Sequence, residues 1–167
     1  ILQKNFIKGA LISDQENLET FFQIEFNENY SKIFFFKDNS LKFQQNFKFG
    51  SEIVTNDIVK ITSLKKNTVK RILNELKFDK EALEEDLIEN DYFSEDVYKK
   101  IKKKLIYDIA LARIREVLDL ILFRNVNIEN FNNKKITVFF ENNSFFQFQM
   151  IKEIFKKEFI DYRNFDI

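Results

Sequence analysis

Three short apolar segments follow one another near the start of the chain, with polar turns between them. They cover residues 21–26, 33–36 and 41–49 and are rich in phenylalanine. Turns that contain asparagine and serine separate them at residues 27–31 and 37–40. Segments of this length and composition, bounded by turn residues, are typical of β-strands. The chain is therefore predicted to build a three-stranded antiparallel meander, against which the later elements must pack.

Helical periodicity replaces the strand pattern after Gly50. Apolar residues at helical spacing predict one helix over about residues 53–61 and another over about residues 67–76. Ser51 is a candidate N-cap of the first helix, because a serine hydroxyl can accept a hydrogen bond from a backbone amide of the first turn. The meander is therefore expected to lead directly into two helices.

A long third helix is predicted over residues 97–123. Ser94 is followed by two acidic residues, which is typical of a helix start. The acidic, irregular residues 79–93 before it predict a short excursion from the main fold. The middle of the long helix is apolar on nearly every side, and such a helix is expected to be buried.

A loop, a strand and a last helix complete the pattern. Residues 124–134 are polar and rich in asparagine, and residues 136–140 form an apolar run that predicts a buried strand. Asn142 and Asn143 form a turn, and residues 150–159 are amphipathic at helical spacing. The order β-β-β-α-α-α-β-α predicts an α/β fold with helices packed on a mixed sheet.

Two residue types that carry much enzyme chemistry are absent. The 167 residues include no cysteine and no histidine, which excludes disulfides, thiolate nucleophiles and Ser-His-Asp triads. The commonest metal ligand is also missing, so no metal site is predicted. Basic and acidic residues number 27 each, and the net charge of zero lacks the basic excess of nucleic-acid-binding domains. No apolar run is long enough to predict a membrane span. The chain begins with isoleucine and with no pattern typical of a signal peptide, and we expect it to be a piece of a longer protein.

Two motifs resemble those of the FtsA family of bacterial actin-like cell-division proteins. Residues 50–58 read Gly-Ser-Glu-Ile-Val-Thr-Asn-Asp-Ile, where the family carries a glycine followed by Val/Ile-Thr-x-Asp-Ile. Residues 112–117 read Ala-Arg-Ile-Arg-Glu-Val and are similar to the family's Ala-Arg-x-x-Glu-Ile/Leu. The resemblance spans nearly the whole chain. It implies an actin-like (ribonuclease H-like) second-half domain, in which the fourth strand lies parallel to the first. Residues 1–65 and 98–167 would form the main subdomain, with residues 66–97 as a small inserted subdomain.

The resemblance also implies a nucleotide site at two turns that are rich in glycine in the family. The family's Asp-x-Gly-Gly-Gly-Thr-Thr corresponds to residues 25–31, and its Thr-Gly-Gly-Gly-Ser to residues 140–144. The family's Ala-Glu-x-Ile-Lys, which contacts ribose and adenine, corresponds to residues 69–73 (Val-Lys-Arg-Ile-Leu). The implied site residues, vestigial at most in this chain, are Glu25, Asn27, Asn29, Ser31, Gly50, Asn142, Asn143 and Ser144.

The loss of these glycines predicts weak nucleotide binding. Glycine lets backbone amides approach phosphate oxygens, and asparagine preserves only the shape of such turns. Glu28 and Glu141 would each bring an anion toward a phosphate. At about 4 Å and an effective dielectric constant of about 20, one such repulsion costs about 4 kcal/mol, roughly a thousandfold in affinity. We expect ATP and magnesium, the family's cofactors, to bind weakly or not at all, and we expect no ATPase activity.

The family resemblance implies a role as a cell-division scaffold. FtsA proteins recruit division proteins, self-associate into filaments and receive the tail of the tubulin-like division protein (FtsZ type) through basic residues. Arg113 is the residue carried over from the family, and three other cations are added because they are basic and nearby. The candidate partner-binding residues are Arg113, Arg115, Lys103 and Lys104. An internal ion pair of Arg113 with Glu116 or Asp108 is an equal alternative. The implied location is the cytoplasm, at the inner face of the membrane at the division site, with membrane contact only through parts outside this chain.

Residues 57–77 also resemble a helix-turn-helix of DNA-binding regulators. A first helix meets a short turn, and the second helix begins near Thr68-Val69 and carries basic residues. In a regulator, those cations would face phosphates or bases. Ser63 stands where such turns usually carry glycine, and the zero net charge argues against this alternative. An active actin-like ATPase is the other alternative.

Overall fold

The computed structural model describes residues 20–38, 40–75, 85–125, 136–142 and 165–166. Five strands form one mixed sheet in the order β3-β2-β1-β4-β5. Their bounds are β1 Thr20–Phe26, β2 Ser31–Lys37, β3 Ser40–Phe47, β4 Ile136–Asn142 and β5 Phe165–Asp166. The first three strands pair antiparallel, and β4 lies parallel to both β1 and β5. The predicted meander and the predicted parallel strand are confirmed, whereas β5 was not predicted.

Strand β1 is the centre of the sheet, and its two faces enter different apolar clusters. Phe22, Ile24 and Phe26 are buried in the main core, which also contains the buried side chains of the helices. Phe21 lies on the opposite face, where its ring stacks on that of Phe36 with centroids 4.8 Å apart. Because both faces are covered, five of the seven residues of β1 are buried, including the polar Gln23.

In the described part of the chain, three α-helices lie on the main-core face of the sheet. They are α1 (Glu52–Thr62), α2 (Lys66–Glu75) and α3 (Lys103–Leu118), and a π-helical turn, Asp119–Phe123, continues α3. The first two confirm the helices predicted from apolar spacing. Helix α1 ends at Ser63, whose φ of 54° is left-handed and stops the helical repeat.

The long helix begins later than its sequence predicted. Ser94 follows a 3-10 turn, Asn90–Phe93, and starts no helix. The residues before α3 are extended because their backbone groups are already paired. The amide of Ile88 donates to the carbonyl of Ile101 at 2.9 Å, and the amide of Lys103 donates to the carbonyl of Asp86 at 2.9 Å. Only after this pairing ends can the chain turn into α3.

Helix α3 is buried on one side only, which corrects the expectation of a fully buried helix. Ile106, Ala110 and Ile114 lie in the main core. Leu105 is 43% exposed, and Ala112 is also exposed. The apolar residues on the outer side of α3 therefore form surface rather than core.

Several predicted features lie outside the described residues. They are the last helix at residues 150–159, most of the loop at 124–134, and the part of the acidic excursion at 79–84. The division into a main and an inserted subdomain stays a prediction. None of the described helices is long and apolar enough to cross a membrane.

Candidate functional site

The two bends that the family resemblance assigns to nucleotide binding begin at the same edge of the sheet. Because β1 and β4 run parallel, both strands end there, and their last register pair is Phe26 with Asn142. The bend between β1 and β2 follows Phe26 directly. Asn143 and Ser144 lie outside the described residues. The structure thus brings the first predicted turn beside the start of the second.

Backbone hydrogen bonds tie the β1–β2 bend to the start of α1. The amide of Asn27 donates to the carbonyl of Tyr30 at 3.0 Å. The carbonyl oxygens of Asn27 and Glu28 accept hydrogen bonds from the amides of Ser51 (3.0 Å) and Glu52 (2.8 Å). The first amides of a helix need such acceptors. The bend therefore caps α1, and the predicted side-chain cap by Ser51 is wrong, since its hydroxyl makes no capping bond.

Gly50 allows this close approach between the bend and the helix. A Cβ atom at Gly50 would lie 2.7 Å from the carbonyl oxygen of Glu28 and closer still to that of Asn27. The hydroxyl of Ser31 adds a further tie by donating to the carbonyl of Phe49 at 2.7 Å. Gly50 and Ser31, both predicted as site residues, thus hold the bend in place. Of the two predicted asparagines, Asn27 is half-buried and Asn29 is exposed.

The acidic residues of the bend are paired with cations from α2. Glu28 forms an ion pair with Lys70 at 2.6 Å, and Glu52 at the start of α1 pairs with Lys66. The hydrogen bond from Lys66 lowers the pKa of Glu52 below its usual value. Lys70 therefore offsets the charge of Glu28, so the repulsion expected from Glu28 is not unopposed. A phosphate placed here would have to compete with Glu28 for Lys70.

The remaining carboxylates of the site lie on the sheet. Glu25 is directly opposite Glu141 in the register of β1 and β4. Glu25 pairs with Lys32 at 3.7 Å, and Glu141 accepts a hydrogen bond of 3.2 Å from the side-chain amide of Gln23. Within the described residues, no cluster of three or more acidic side chains could hold a metal ion.

Two buried hydroxyls lie unpartnered on successive turns of α1. The oxygens of Ser51 and Thr55 are fully buried, and neither has a hydrogen-bond partner in the described part of the chain. The side-chain nitrogen of Asn27, in the bend that caps this helix, is also buried without a partner. Sequence reasoning missed Thr55, because nothing in an isolated Val-Thr-Asn triplet reveals that its hydroxyl is buried.

No protein-family model matches the chain, and no curated protein is significantly similar to it. The solved structures that share its fold include two from bacteria. The ethanolamine utilization protein EutJ from Carboxydothermus hydrogenoformans matches 89% of the chain with a TM-score of 0.58 and 7% identity. MreB 5 of Spiroplasma citri, bound to AMPPNP, matches 95% with a TM-score of 0.51 and 13% identity. The chain has an actin-like fold. It spans about half the length of each match, 45% and 52% respectively.

The predicted partner-binding cations do not form one cluster on this actin-like domain. Arg113 forms ion pairs with Asp57 and, at 2.7 Å, with Glu116. Arg115 is exposed and lies two residues away, so it projects from a different side of α3. Lys103 pairs with Asp86 at 3.2 Å, and Lys104 is half-buried.

A shallow groove runs between α1 and α3 on the outer side of the helices. Its volume is about 400 Å³. Seven residues line it: Asp57, Ile61, Asp108, Ile109, Ala112, Arg113 and Glu116. Sequence reasoning identified Arg113 and its possible pairing with Glu116. It missed the contribution of α1, whose Asp57 lies 56 positions before Arg113 in the chain.

Helices α1 and α2 are joined by three residues, as the helix-turn-helix alternative requires. The cations of α2, however, are paired within the domain. Lys66 and Lys70 contact the glutamates described above, and Arg71 contacts Glu75 at 3.2 Å and the carbonyl of Asp91 at 2.9 Å. An actin-like sheet with α1 and α2 packed on it accounts for this pair of helices, so the geometry does not favour a DNA-binding interpretation.

Proposed function

We propose that the chain is part of an actin-like scaffold protein that works without bound nucleotide. The observation that carries the proposal is the glycine-free β1–β2 bend, whose carbonyl oxygens are committed to capping α1. In a phosphate-binding turn, the backbone presents amide N–H groups to the ligand. Here the bend presents its carbonyls to a helix, and the ion pair between Glu28 and Lys70 bridges it to α2. These features support weak or absent ATP binding and no ATPase activity.

Titration with a fluorescent ATP analogue and magnesium tests this proposal. We expect no saturable binding at analogue concentrations below about 1 mM. A dissociation constant of about 1 mM corresponds to a binding free energy of about −4 kcal/mol. Lys70→Gln is the matched variant, because it removes the cation nearest the bend without adding bulk. Micromolar binding that is lost in Lys70→Gln would overturn the proposal and favour the active-ATPase alternative.

The finer proposal places the scaffold at the bacterial division ring. The resemblance to the FtsA family supports self-association and recruitment of the tubulin-like division protein, with membrane attachment through parts outside this chain. Sedimentation of the purified protein with and without ATP tests the assembly. We expect the same fraction in the pellet under both conditions. Assembly that requires ATP would contradict nucleotide independence, and a monodisperse protein at all concentrations would argue against a filament role.

Binding of the division-protein tail is tested separately with a synthetic peptide. If Arg113 receives the tail, Arg113→Ala weakens the peptide without unfolding the domain. Unchanged affinity would assign Arg113 to its ion pairs with Asp57 and Glu116 alone.

A further inference from the structure

The groove between α1 and α3 combines an apolar floor with an excess of carboxylates. Ile61, on the last turn of α1, is 58% exposed although it is a large aliphatic residue. Across the groove, α3 contributes the half-buried Ile109 and the exposed Ala112. Leu105, 43% exposed, lies one turn earlier on the same side of α3 as Ile109. Contiguous exposed aliphatic side chains of this kind mark interaction sites more often than single ones do.

The charges of the groove leave it net negative. Arg113 is the one cation among the seven lining residues, and Asp57 and Glu116 both pair with it. The hydrogen bond to Asp57 raises the pKa of Arg113, in line with the ion pair between them. Asp108 is exposed and forms no ion pair in the described part of the chain. Three carboxylates therefore face one guanidinium beside an apolar floor.

We propose that the α1–α3 groove binds a cationic segment of a partner protein, with an aliphatic or aromatic side chain seated between Ile61 and Ala112 and a lysine or arginine paired with Asp108. The inference rests on the proposed scaffold function, which requires a partner surface, and it names the chemistry of that partner. An acidic segment would meet the unpaired carboxylate of Asp108 and would have to displace Asp57 or Glu116 from Arg113. Nucleic acid and anionic lipid face the same repulsion.

Two peptides of equal length and identical apolar residues test this chemistry. In one, lysines flank a central leucine, and in the other, glutamates replace the lysines. Fluorescence anisotropy with the purified chain measures the affinity of each at low and at high salt. We expect saturable binding of the cationic peptide only, and we expect it to weaken at high salt, because exposed charge pairs are screened.

Two variants locate the binding site. Ile61→Ser should weaken binding of the cationic peptide by about tenfold, since it removes an exposed aliphatic side chain that lines the groove. Asp108→Asn should weaken it by about two- to fivefold at low salt and less at high salt. Val97→Ser and Glu89→Gln are the matched controls, because both residues are exposed and lie outside the groove. The controls should leave the affinity unchanged.

Each other outcome overturns the inference in a recognisable way. Preferential binding of the acidic peptide would refute it while supporting the tail-binding part of the proposed function. Equal weakening by Ile61→Ser and Val97→Ser would place the peptide elsewhere on the surface. Absence of binding to either peptide, together with a concentration-dependent dimer that Ile61→Ser dissolves, would assign the groove to a second copy of this chain. The nucleotide titration is independent of all these results, so it separates failure of this inference from failure of nucleotide independence.

Discussion

Gly50 is the residue at which the backbone path leaves no room for a side chain. The carbonyl oxygens of the β1–β2 bend lie against it, and their hydrogen bonds to Ser51 and Glu52 hold them there. The sequence signals this position, since Gly50 is one of only two glycines in the chain and directly precedes a helix. The sequence alone cannot reveal the contact, because the bend lies more than 20 positions earlier and meets Gly50 only in the folded sheet.

Gly50→Ala should lower the free energy of unfolding by about 1–3 kcal/mol, the usual cost of forcing a methyl group into a filled space. The added Cβ would contact backbone oxygens, which cannot rotate away as a side chain can. Urea unfolding followed by circular dichroism measures the change. Ser51→Ala, one residue further, is the control. It should be nearly neutral because the serine hydroxyl has no partner in the part of the chain that the structure describes. Equal stability of both variants would contradict the close approach.

The two buried threonines of α1, Thr55 and Thr62, are predicted to affect stability in opposite directions. The hydroxyl of Thr55 has no partner among the described residues, whereas that of Thr62 donates to the carbonyl of Ile58 at 2.7 Å and accepts from the amide of Leu64 at 3.3 Å. Thr55→Val should therefore raise the free energy of unfolding by up to about 1 kcal/mol, and Thr62→Val should lower it by about 1 kcal/mol. Thermal unfolding of the pair checks the opposite signs. Destabilisation by both variants would indicate that Thr55 has a partner, such as a buried water molecule.

At the scale of secondary-structure elements, helix α2 receives its N-terminal cap from a distant segment. The carboxylate of Asp96 accepts hydrogen bonds from the amide of Lys65 at 2.9 Å and from the hydroxyl of Thr68 at 2.5 Å. Apolar spacing predicted α2 correctly, because periodicity is local. The same local reasoning placed the start of the next helix, α3, too early in the chain. It assigned Asp96 to a helix start of its own, whereas the folded chain uses this residue to cap α2.

Asp96→Asn should destabilise the domain at neutral pH but not in acid. The hydrogen bond from Thr68, and with it the one from Lys65, lowers the pKa of Asp96 below its ordinary value of 3.8. A carboxyl with a lowered pKa stabilises the fold above its unfolded-state pKa, and this contribution is lost as the pH falls through the lowered value. The midpoint of urea unfolding should therefore differ between parent and variant at pH 7, and the difference should begin to shrink only below about pH 3.8 and vanish once the pH has fallen past the lowered pKa. Glu89→Gln, exposed on the preceding segment, is the control. A difference that persists in acid would show that Asp96 acts through packing rather than charge.

At the scale of the whole molecule, β1 lies between the antiparallel β2 and the parallel β4. This position determines where the bends that follow β1 and β4 lie relative to each other. The order of elements sufficed to predict the meander, whereas the parallel β4, and with it the common edge at which both bends begin, was implied by the family resemblance. The pairing of charges could not be predicted in the same way. Lys70 reaches Glu28 across 42 positions, and Arg113 reaches Asp57 across 56. Such contacts depend on how helices lie on the sheet, which apolar periodicity leaves open.

Substitutions in β1 should destabilise sheet and helices together. Ile24 is fully buried and pairs in register with Ile33 of β2 and Phe140 of β4, while its side chain lies in the core shared with α1 and α3. Ile24→Ala should cost about 2–5 kcal/mol, the range for removing a buried aliphatic side chain. Val97→Ala, at an 85% exposed site, should stay within about 0.5 kcal/mol.

Two probes in one urea titration decide whether the molecule unfolds as a unit. Circular dichroism reports on all elements. Three of the five tyrosines, Tyr92, Tyr98 and Tyr107, lie between the 3-10 turn and α3, so tyrosine fluorescence weights that region more than the sheet. Since β1 joins both neighbours and the helices through one core, Ile24→Ala should shift both transitions equally, as a two-state domain requires. A shift in dichroism that leaves the tyrosine transition in place would mean that the helices hold together without the central strand. The sheet edge at which both bends begin would then not be held in place by β1 alone.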